Sequence, residues 1–245
     1  MKIQITSYIY GLSDKVRFDL TKDTINNSTA DLILFSGHTI GFANEIEKLQ
    51  YTIKNDQSEV IFELQNIKSE KIGNCLYHIK KGKMINLYTN QIFTQSGEIE
   101  GNYELGDRLL HEFENNRIIQ IKGLSILIIQ CGEINILKNI QSEENRVEFR
   151  LSDDPILSER FTKIFTETDI FLNPIHTPMG NQGKIQKRRE FFSKGNKYYF
   201  SASNTKEYSN NLDLKSLQYA YHNEHELIEV EKIITDKLIS RIYEI

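Results

Sequence analysis

The sequence predicts an α/β protein with mixed sheets of the α+β kind, and three observations support that prediction. Residues 124–130 form an apolar run between Gly123 and Gly132 that is too short for a typical helix. Such a run is typical of a strand buried on both faces. Two further runs, at residues 74–79 and 84–88, are separated by a turn rich in Lys and indicate an antiparallel hairpin. Along the chain, strands arrive in pairs separated by helices.

The remaining elements follow from the same hydrophobic patterns. Further strands are predicted over residues 2–9, 32–35, 59–64, 118–121, 169–173, 197–203, 217–221 and 226–230. Helices are predicted over residues 43–51, 134–142, 155–165 and 184–192, the third of them opened by Asp or Ser with Pro in its first turn. The polar segment 20–31 is expected to be a poor helix, and residues 89–107 are expected to be rich in loops.

Length, charge and cysteine content narrow the class of protein. The chain has 245 residues, 39% of them hydrophobic, so one domain over residues 1–245 is expected. The net charge of −4 argues against nucleic acid or an anionic membrane as the main partner. Two cysteines, Cys75 and Cys131, argue against a disulfide framework and a structural metal site, and no cofactor is expected. The absence of a signal sequence and of a long apolar stretch predicts a cytoplasmic protein.

Five segments, taken in order, resemble the nitrilase superfamily of carbon–nitrogen hydrolases. They are DLILFSGHTIGF (31–42), YELGDRLLHEF (103–113), KGLSILIIQCGE (122–133), TDIFLNPIHTPMG (168–180) and KRREFFSKGNKYYFSASN (187–204). The cysteine segment and the Asn-Pro pair at 173–174 are the most specific of these. The resemblance implies a four-layer αββα sandwich that usually forms dimers through helices next to the active site.

The resemblance also implies a Cys nucleophile, a Glu general base and a Lys that stabilises the tetrahedral intermediate. Cys131 matches the nucleophile, and Glu133 matches an acidic residue that usually follows it by two positions. Gly37 stands where the Glu is expected and Asn90 where the Lys is expected. A missing general acid costs roughly 10² to 10⁴ in rate. A missing oxyanion donor costs about 10² to 10³ more. Turnover by the family mechanism is therefore expected to be negligible.

Two histidines could substitute for the missing groups. His38 and His176 each follow a predicted apolar strand, so both are expected at the edge of the sheet where Cys131 lies. A Cys–His pair would activate the thiol and supply a general acid. The alternatives are that both histidines are satisfied by backbone or water, that Cys131 is a small buried hydrophobic residue, and that Glu133 favours a helix N-terminus by charge alone.

Two more features of the sequence each allow two interpretations. Among the basic residues of the predicted helix at 184–192, Lys184 and Arg188 could capture a carboxylate or phosphate, or could belong to a solvated face. The apolar stripe of residues 235–245 is expected either to dock on its own domain or to contact a partner chain.

Two functional hypotheses follow. The first is a non-hydrolysing binding, sensing or assembly subunit of nitrilase fold, acting as a homodimer or with another protein. The second is a divergent thiol amidohydrolase that uses Cys131 with His176 or His38 on a small amide or carboxylate ligand.

Overall fold

The computed structural model describes residues 1–9, 11–41, 44–64, 75–178, 180–205 and 214–245. Its strands are β1 Lys2–Tyr8, β2 Leu32–Phe35, β3 Glu59–Leu64, β4 Cys75–Lys80, β5 Lys83–Asn90, β6 Ile118–Ile121, β7 Leu124–Ile128, β8 Leu137–Ile140, β9 Arg146–Phe149, β10 Ile170–Ile175, β11 Tyr198–Ser203, β12 Gln218–His222, β13 His225–Glu226, β14 Glu231–Ile234 and β15 Leu238–Glu244. Its α-helices are α1 Asp14–Asn27, α2 Asn44–Thr52, α3 Ser96–Ile99, α4 Tyr103–Glu112, α5 Pro155–Glu167, α6 Gln182–Phe192 and α7 Leu214–Leu217. A π-helical turn, Phe113–Arg117, and two 3₁₀ helices, Cys131–Ile136 and Gln141–Glu143, complete the described part.

Within this part of the chain the strands form two large sheets and a hairpin of β8 and β9. The first sheet has the order β14-β15-β1-β2-β3-β4-β5, and the second has the order β13-β12-β11-β10-β7-β6. Strands β1, β2 and β3 are parallel, as are β7, β10 and β11. Each sheet therefore has a parallel centre with antiparallel strands outside it, so side chains at the carboxyl ends of the central strands share one edge.

The two sheets pack face to face, and helices cover their outer faces. Along β10, Ile170 and Leu172 belong to the core between the sheets, whereas Phe171 belongs to the core under α4, α5 and α6. In the first sheet, Ile33 of β2 packs on the outer side in one cluster with Leu49 of α2. This alternation follows from the two-residue period of a strand. The predicted four-layer αββα sandwich is confirmed.

Two predicted elements are wrong. No helix spans residues 134–142, because a 3₁₀ helix ends at Ile136 and β8 follows, paired with β9. In residues 137–140, the β-branched Ile140 favours the extended backbone, and β9 supplies the hydrogen bonds of this strand. No strand spans 226–230 either; β13 ends at Glu226, and the next strand, β14, pairs with β15 instead.

Other segments are more regular than their composition indicated. Helix α1 forms with Ser13 as its N-cap and buries Ile25 completely, so tertiary packing outweighs its weak intrinsic propensity. The stretch 89–107 contains α3 and the start of α4. The last residues form β15, which lies between β14 and β1 and pairs with β1 over its whole length. Residues 42, 43, 74 and 179, which fall within predicted segments, lie outside the described residues.

Candidate functional site

The candidate site lies where the carboxyl ends of the two parallel strand sets meet. Gly37 follows β2 and donates its backbone N–H to the carbonyl of Ile175, the last residue of β10, at 3.0 Å. This hydrogen bond joins the two sheets at their shared edge. The turn after β7 and the first residue after β10 reach the same place, and they carry Cys131 and His176.

Cys131 occupies a sharp turn directly after the β7 segment. Its backbone has a φ of 37°, a left-handed conformation that non-glycine residues rarely adopt, and its side chain is partly exposed. Strained backbone of this kind is common where a nucleophile must project from a strand end. The next residue must be glycine, because a Cβ on Gly132 would collide with the carbonyl oxygen of Thr94.

His176 links Cys131 to a buried carboxylate. Its Nε2 lies 2.7 Å from Oε2 of Glu63, and its ring also hydrogen-bonds to the side chain of Cys131. Burial alone would lower the pKa of His176, but its hydrogen bonds to Cys131 and Glu63 and the negative charge of Glu63 outweigh burial and raise the pKa to about 10. The imidazole is therefore held as a cation beside the carboxylate of Glu63.

Glu63 comes from the end of β3 and its side chain is completely buried between the sheets. Its Oε1 accepts a hydrogen bond from Gln130 Nε2 at 2.6 Å, and its Oε2 also accepts one from the backbone N–H of His38 at 2.9 Å. Burial opposes ionisation, but the hydrogen bond and charge of His176, with help from His38, hold the pKa of Glu63 below its ordinary value. Its hydrogen-bonding geometry thus favours the carboxylate form.

The glycine at position 37 leaves room for this pair. A Cβ at Gly37 would collide with the ring of His176 and would lie 2.9 Å from Oε2 of Glu63. A side chain at position 37 is therefore incompatible with the His176–Glu63 hydrogen bond as it stands.

The imidazole ring of His38 stacks on the ring of His176. The rings of His38 and His176 have centroids 3.6 Å apart with an angle of 18° between their planes. His38, Glu63 and His176 each offer one potential metal-ligand atom within 4.8 Å of the others, a grouping that the sequence did not predict. Within this group, His176 Nε2 and Glu63 Oε2 are hydrogen-bonded to each other at 2.7 Å.

Glu133 is held by a different set of partners from those of His176. It forms an ion pair with Arg117 in which both side chains are fully buried, and it accepts hydrogen bonds from the backbone N–H groups of Ile92 and Gln130 at 2.7 and 2.9 Å. Arg117 in turn donates to the hydroxyl of Thr89 and the carbonyl of Asn90. Glu133 therefore ties the turn that bears Cys131 to the end of β5, where Asn90 stands.

A cleft of about 800 Å³ opens beside Cys131. Its basic lining residues are Lys138, Arg150, Lys184 and Arg188, and the described residues around it include no Asp or Glu. Both basic residues singled out from the sequence, Lys184 and Arg188, thus lie in the same cleft as the thiol.

Solved structures of other proteins have a fold similar to that of this chain. An amidase from Nesterenkonia sp. AN1 aligns with a TM-score of 0.59 at 9% identity, over 100% of this chain and 92% of its own. A CN-hydrolase superfamily protein from Xanthomonas campestris, solved with an arsenic adduct in its active site, aligns with a TM-score of 0.53 at 11% identity, over 100% of this chain and 91% of its own. This chain has the fold of the nitrilase superfamily.

A third solved structure carries a small amide. It is a mutant of the Nesterenkonia amidase in complex with butyramide, and it aligns with a TM-score of 0.58 at 9% identity over 99% of this chain and 90% of its own. No family model matches the sequence, and no curated protein does. The described part of this nitrilase-fold chain contains no helix long and apolar enough to span a membrane.

The structure brings together three of the residues singled out from the sequence, Cys131, His176 and His38, and adds Glu63 and Gln130, which the sequence analysis did not single out. Glu63 had a detectable signal. In EVIFEL it shares a face with Ile61, which packs between the sheets, so a carboxylate there is expected to be buried at a strand end.

Proposed function

We propose that this nitrilase-fold chain is a thiol hydrolase of carbon–nitrogen bonds, with Cys131 as the nucleophile, His176 as the proton carrier and Glu63 as the carboxylate that orients it. The observation that supports this most strongly is the hydrogen-bonded series Cys131–His176–Glu63. Gly37, which has no side chain, leaves the space that this series occupies. A nucleophile, a base within hydrogen-bond reach and a group that orients the base are the arrangement that covalent catalysis requires.

The proposed reaction uses these groups in sequence. The thiolate of Cys131 attacks the amide carbonyl, the carbon–nitrogen bond breaks, and a thioester forms. Acylation removes the negative charge on sulfur, so His176 loses one of the two neighbours that hold its proton and gives that proton to the departing amine. Neutral His176 then accepts a proton from water, and the resulting hydroxide cleaves the thioester to release the carboxylic acid and regenerate the thiolate beside protonated His176.

The missing family residues have local replacements in this scheme. Glu63, from the strand next to β2, places its carboxylate where a side chain at position 37 would reach. The basic residues of the cleft provide positive potential for the oxyanion, a role that the resemblance gives to a Lys. The neighbouring solved amidases are consistent with a small amide as substrate.

A second candidate is a binding, sensing or assembly subunit that does not hydrolyse. Asn90 at the expected Lys position favours it. The backbone carbonyl of Asn90 accepts a hydrogen bond from Arg117, and its side chain has no ammonium group to stabilise a tetrahedral intermediate. A homodimer, or a complex with another protein, is proposed for either function.

The two candidates differ in the reactivity of Cys131. At pH 7, iodoacetamide is expected to alkylate Cys131 well above the rate of a free thiol, and ammonia is expected to be released from butyramide. In His176→Gln the hydrolysis rate is expected to fall by roughly 10² to 10⁴. The matched control is His111→Gln, since His111 is exposed on α4. Alkylation at the rate of a free thiol, unchanged in His176→Gln, would reject the hydrolase in favour of the binding subunit.

A further inference from the structure

Arg188 is a buried guanidinium that lacks a countercharge. It is 6% exposed and lines the cleft beside Cys131. Its Nε donates to Asn139 Oδ1 at 2.9 Å and its Nη1 donates to Asn135 Oδ1 at 2.6 Å. Both acceptors are neutral amides, and no carboxylate among the described residues forms an ion pair with it. A buried cation without a negative partner is unfavourable unless a ligand supplies the charge.

The surroundings of Arg188 add positive charge. Burial, and next the charge of Arg150, lower the pKa of Arg188 to about 10. Arg150 has its own carboxylate partner in Glu100, and Lys138 has one in Glu148, so both are partly neutralised. Lys184, one turn before Arg188 on α6, lines the same cleft. The charge that remains uncompensated is therefore concentrated around Arg188 and Lys184.

A short chain of contacts places Arg188 close to the thiol. Asn135, which accepts from Arg188, donates through its Nδ2 to the carbonyl of Gly132 at 2.7 Å. Gly132 follows Cys131 directly. The side chain of Asn135 thus bridges the guanidinium of Arg188 and the turn that carries Cys131. One small ligand could therefore contact Arg188 at one end and Cys131 at the other. The cleft volume, about 800 Å³, is ample for such a ligand.

We propose that the substrate carries a carboxylate as well as the scissile amide, and that Arg188, assisted by Lys184, binds this carboxylate while Cys131 attacks the amide. Arginine suits this role because its planar fork matches a carboxylate. The inference rests on the proposed hydrolase function and specifies its substrate class: monoamides of short dicarboxylic acids.

The first test uses two alkylating reagents that differ in charge and needs no turnover. The rate of Cys131 alkylation by iodoacetate, divided by the rate with iodoacetamide, is compared with the same ratio for a free thiol, and peptide mass spectrometry separates Cys131 from Cys75. The ratio is expected to exceed that of the free thiol by roughly tenfold, about 1.4 kcal/mol. It is expected to fall in Arg188→Gln and to stay unchanged in Lys187→Gln, whose side chain is exposed on the same helix.

The second test uses substrates of similar length. Succinamate ends in a carboxylate where butyramide ends in a methyl group. Succinamate is expected to have the higher kcat/KM, and Arg188→Gln is expected to lower kcat/KM for succinamate by a larger factor than that for butyramide. Lys184→Gln, at a half-exposed position, provides the same comparison if Arg188→Gln does not fold.

The outcomes separate the two proposals. Fast alkylation by iodoacetamide with no preference for iodoacetate, or equal losses for both amides in Arg188→Gln, would overturn the carboxylate site and leave the hydrolase intact. Slow alkylation by both reagents would reject the hydrolase and, with it, this substrate class.

Discussion

A side chain at position 37 and the hydrogen-bonded pair of His176 and Glu63 would compete for the same space. The glycine does not serve a positive φ; it serves a close approach, because its N–H bonds to Ile175 and its missing Cβ leaves room for the imidazole. A single residue type at one strand end therefore decides which carboxylate can reach the site. From the sequence alone, Gly37 indicated only that the expected Glu general base is missing.

The first prediction concerns this residue. Gly37→Ala is expected to push the ring of His176 away from Glu63, because the new Cβ would collide with it. The rate of Cys131 alkylation by iodoacetamide is expected to fall by about tenfold or more, since a misplaced base loses most of its catalytic contribution. Gly97→Ala is the matched control, because a Cβ at that position meets nothing within 4 Å. Equal alkylation rates in both variants would contradict the steric role of Gly37.

The turn that carries Cys131 is held by contacts from other elements. Its 3₁₀ helix begins at Cys131, and Glu133 of the same helix forms the buried ion pair with Arg117 at the end of the π-helical turn. Arg117 also reaches the end of β5, so three elements meet at one ion pair. We therefore propose that Glu133 is a positioning residue, whose effect on chemistry acts through the turn.

The second prediction follows from this pair. Glu133→Gln keeps the shape but leaves Arg117 buried without a negative partner, so the free energy of unfolding is expected to drop by about 3–5 kcal/mol. Urea denaturation followed by circular dichroism measures it. Glu143→Gln, which removes an exposed ion pair with Arg146, is expected to leave stability nearly unchanged. A similar stability for Glu133→Gln and the wild type would show that the buried pair does not hold the turn.

At the scale of the whole molecule, the site exists only because the two sheets are packed together. Glu63 belongs to the first sheet, and Cys131 and His176 follow strands of the second. Residues 238–244 of the terminal segment form β15, which pairs with β1 inside the seven-stranded sheet of its own chain. The oligomeric state stays a prediction.

The third prediction concerns the pH dependence of stability. The pKa of His176 is raised from its ordinary 6.5 to about 10 in the folded state, so its protonation stabilises the fold. This contribution is present in full below pH 6.5 and is lost as pH rises towards 10. The difference in free energy of unfolding between the wild type and His176→Gln is expected to shrink over this range, whereas His111→Gln should follow the wild type. A constant difference would show that His176 is not held as a cation.

The local features of the protein follow from the amino-acid sequence alone. Apolar runs with a two-residue period specified the central strands, and the segment ending in Cys131 placed a thiol at a strand end, because burial patterns and turn residues act over a few neighbours. The sequence did not specify the segment at 134–142, where a partner strand prevails over helical propensity.

The contacts between distant side chains depend on how the two sheets pack. Glu63 and His176 are 113 positions apart, and Arg117 and Glu133 are 16 apart on different elements. Such contacts depend on the register and packing of two sheets, which no local pattern encodes. For that reason the sequence placed His176 at the same sheet edge as Cys131 but did not indicate the carboxylate of Glu63, which comes from the other sheet.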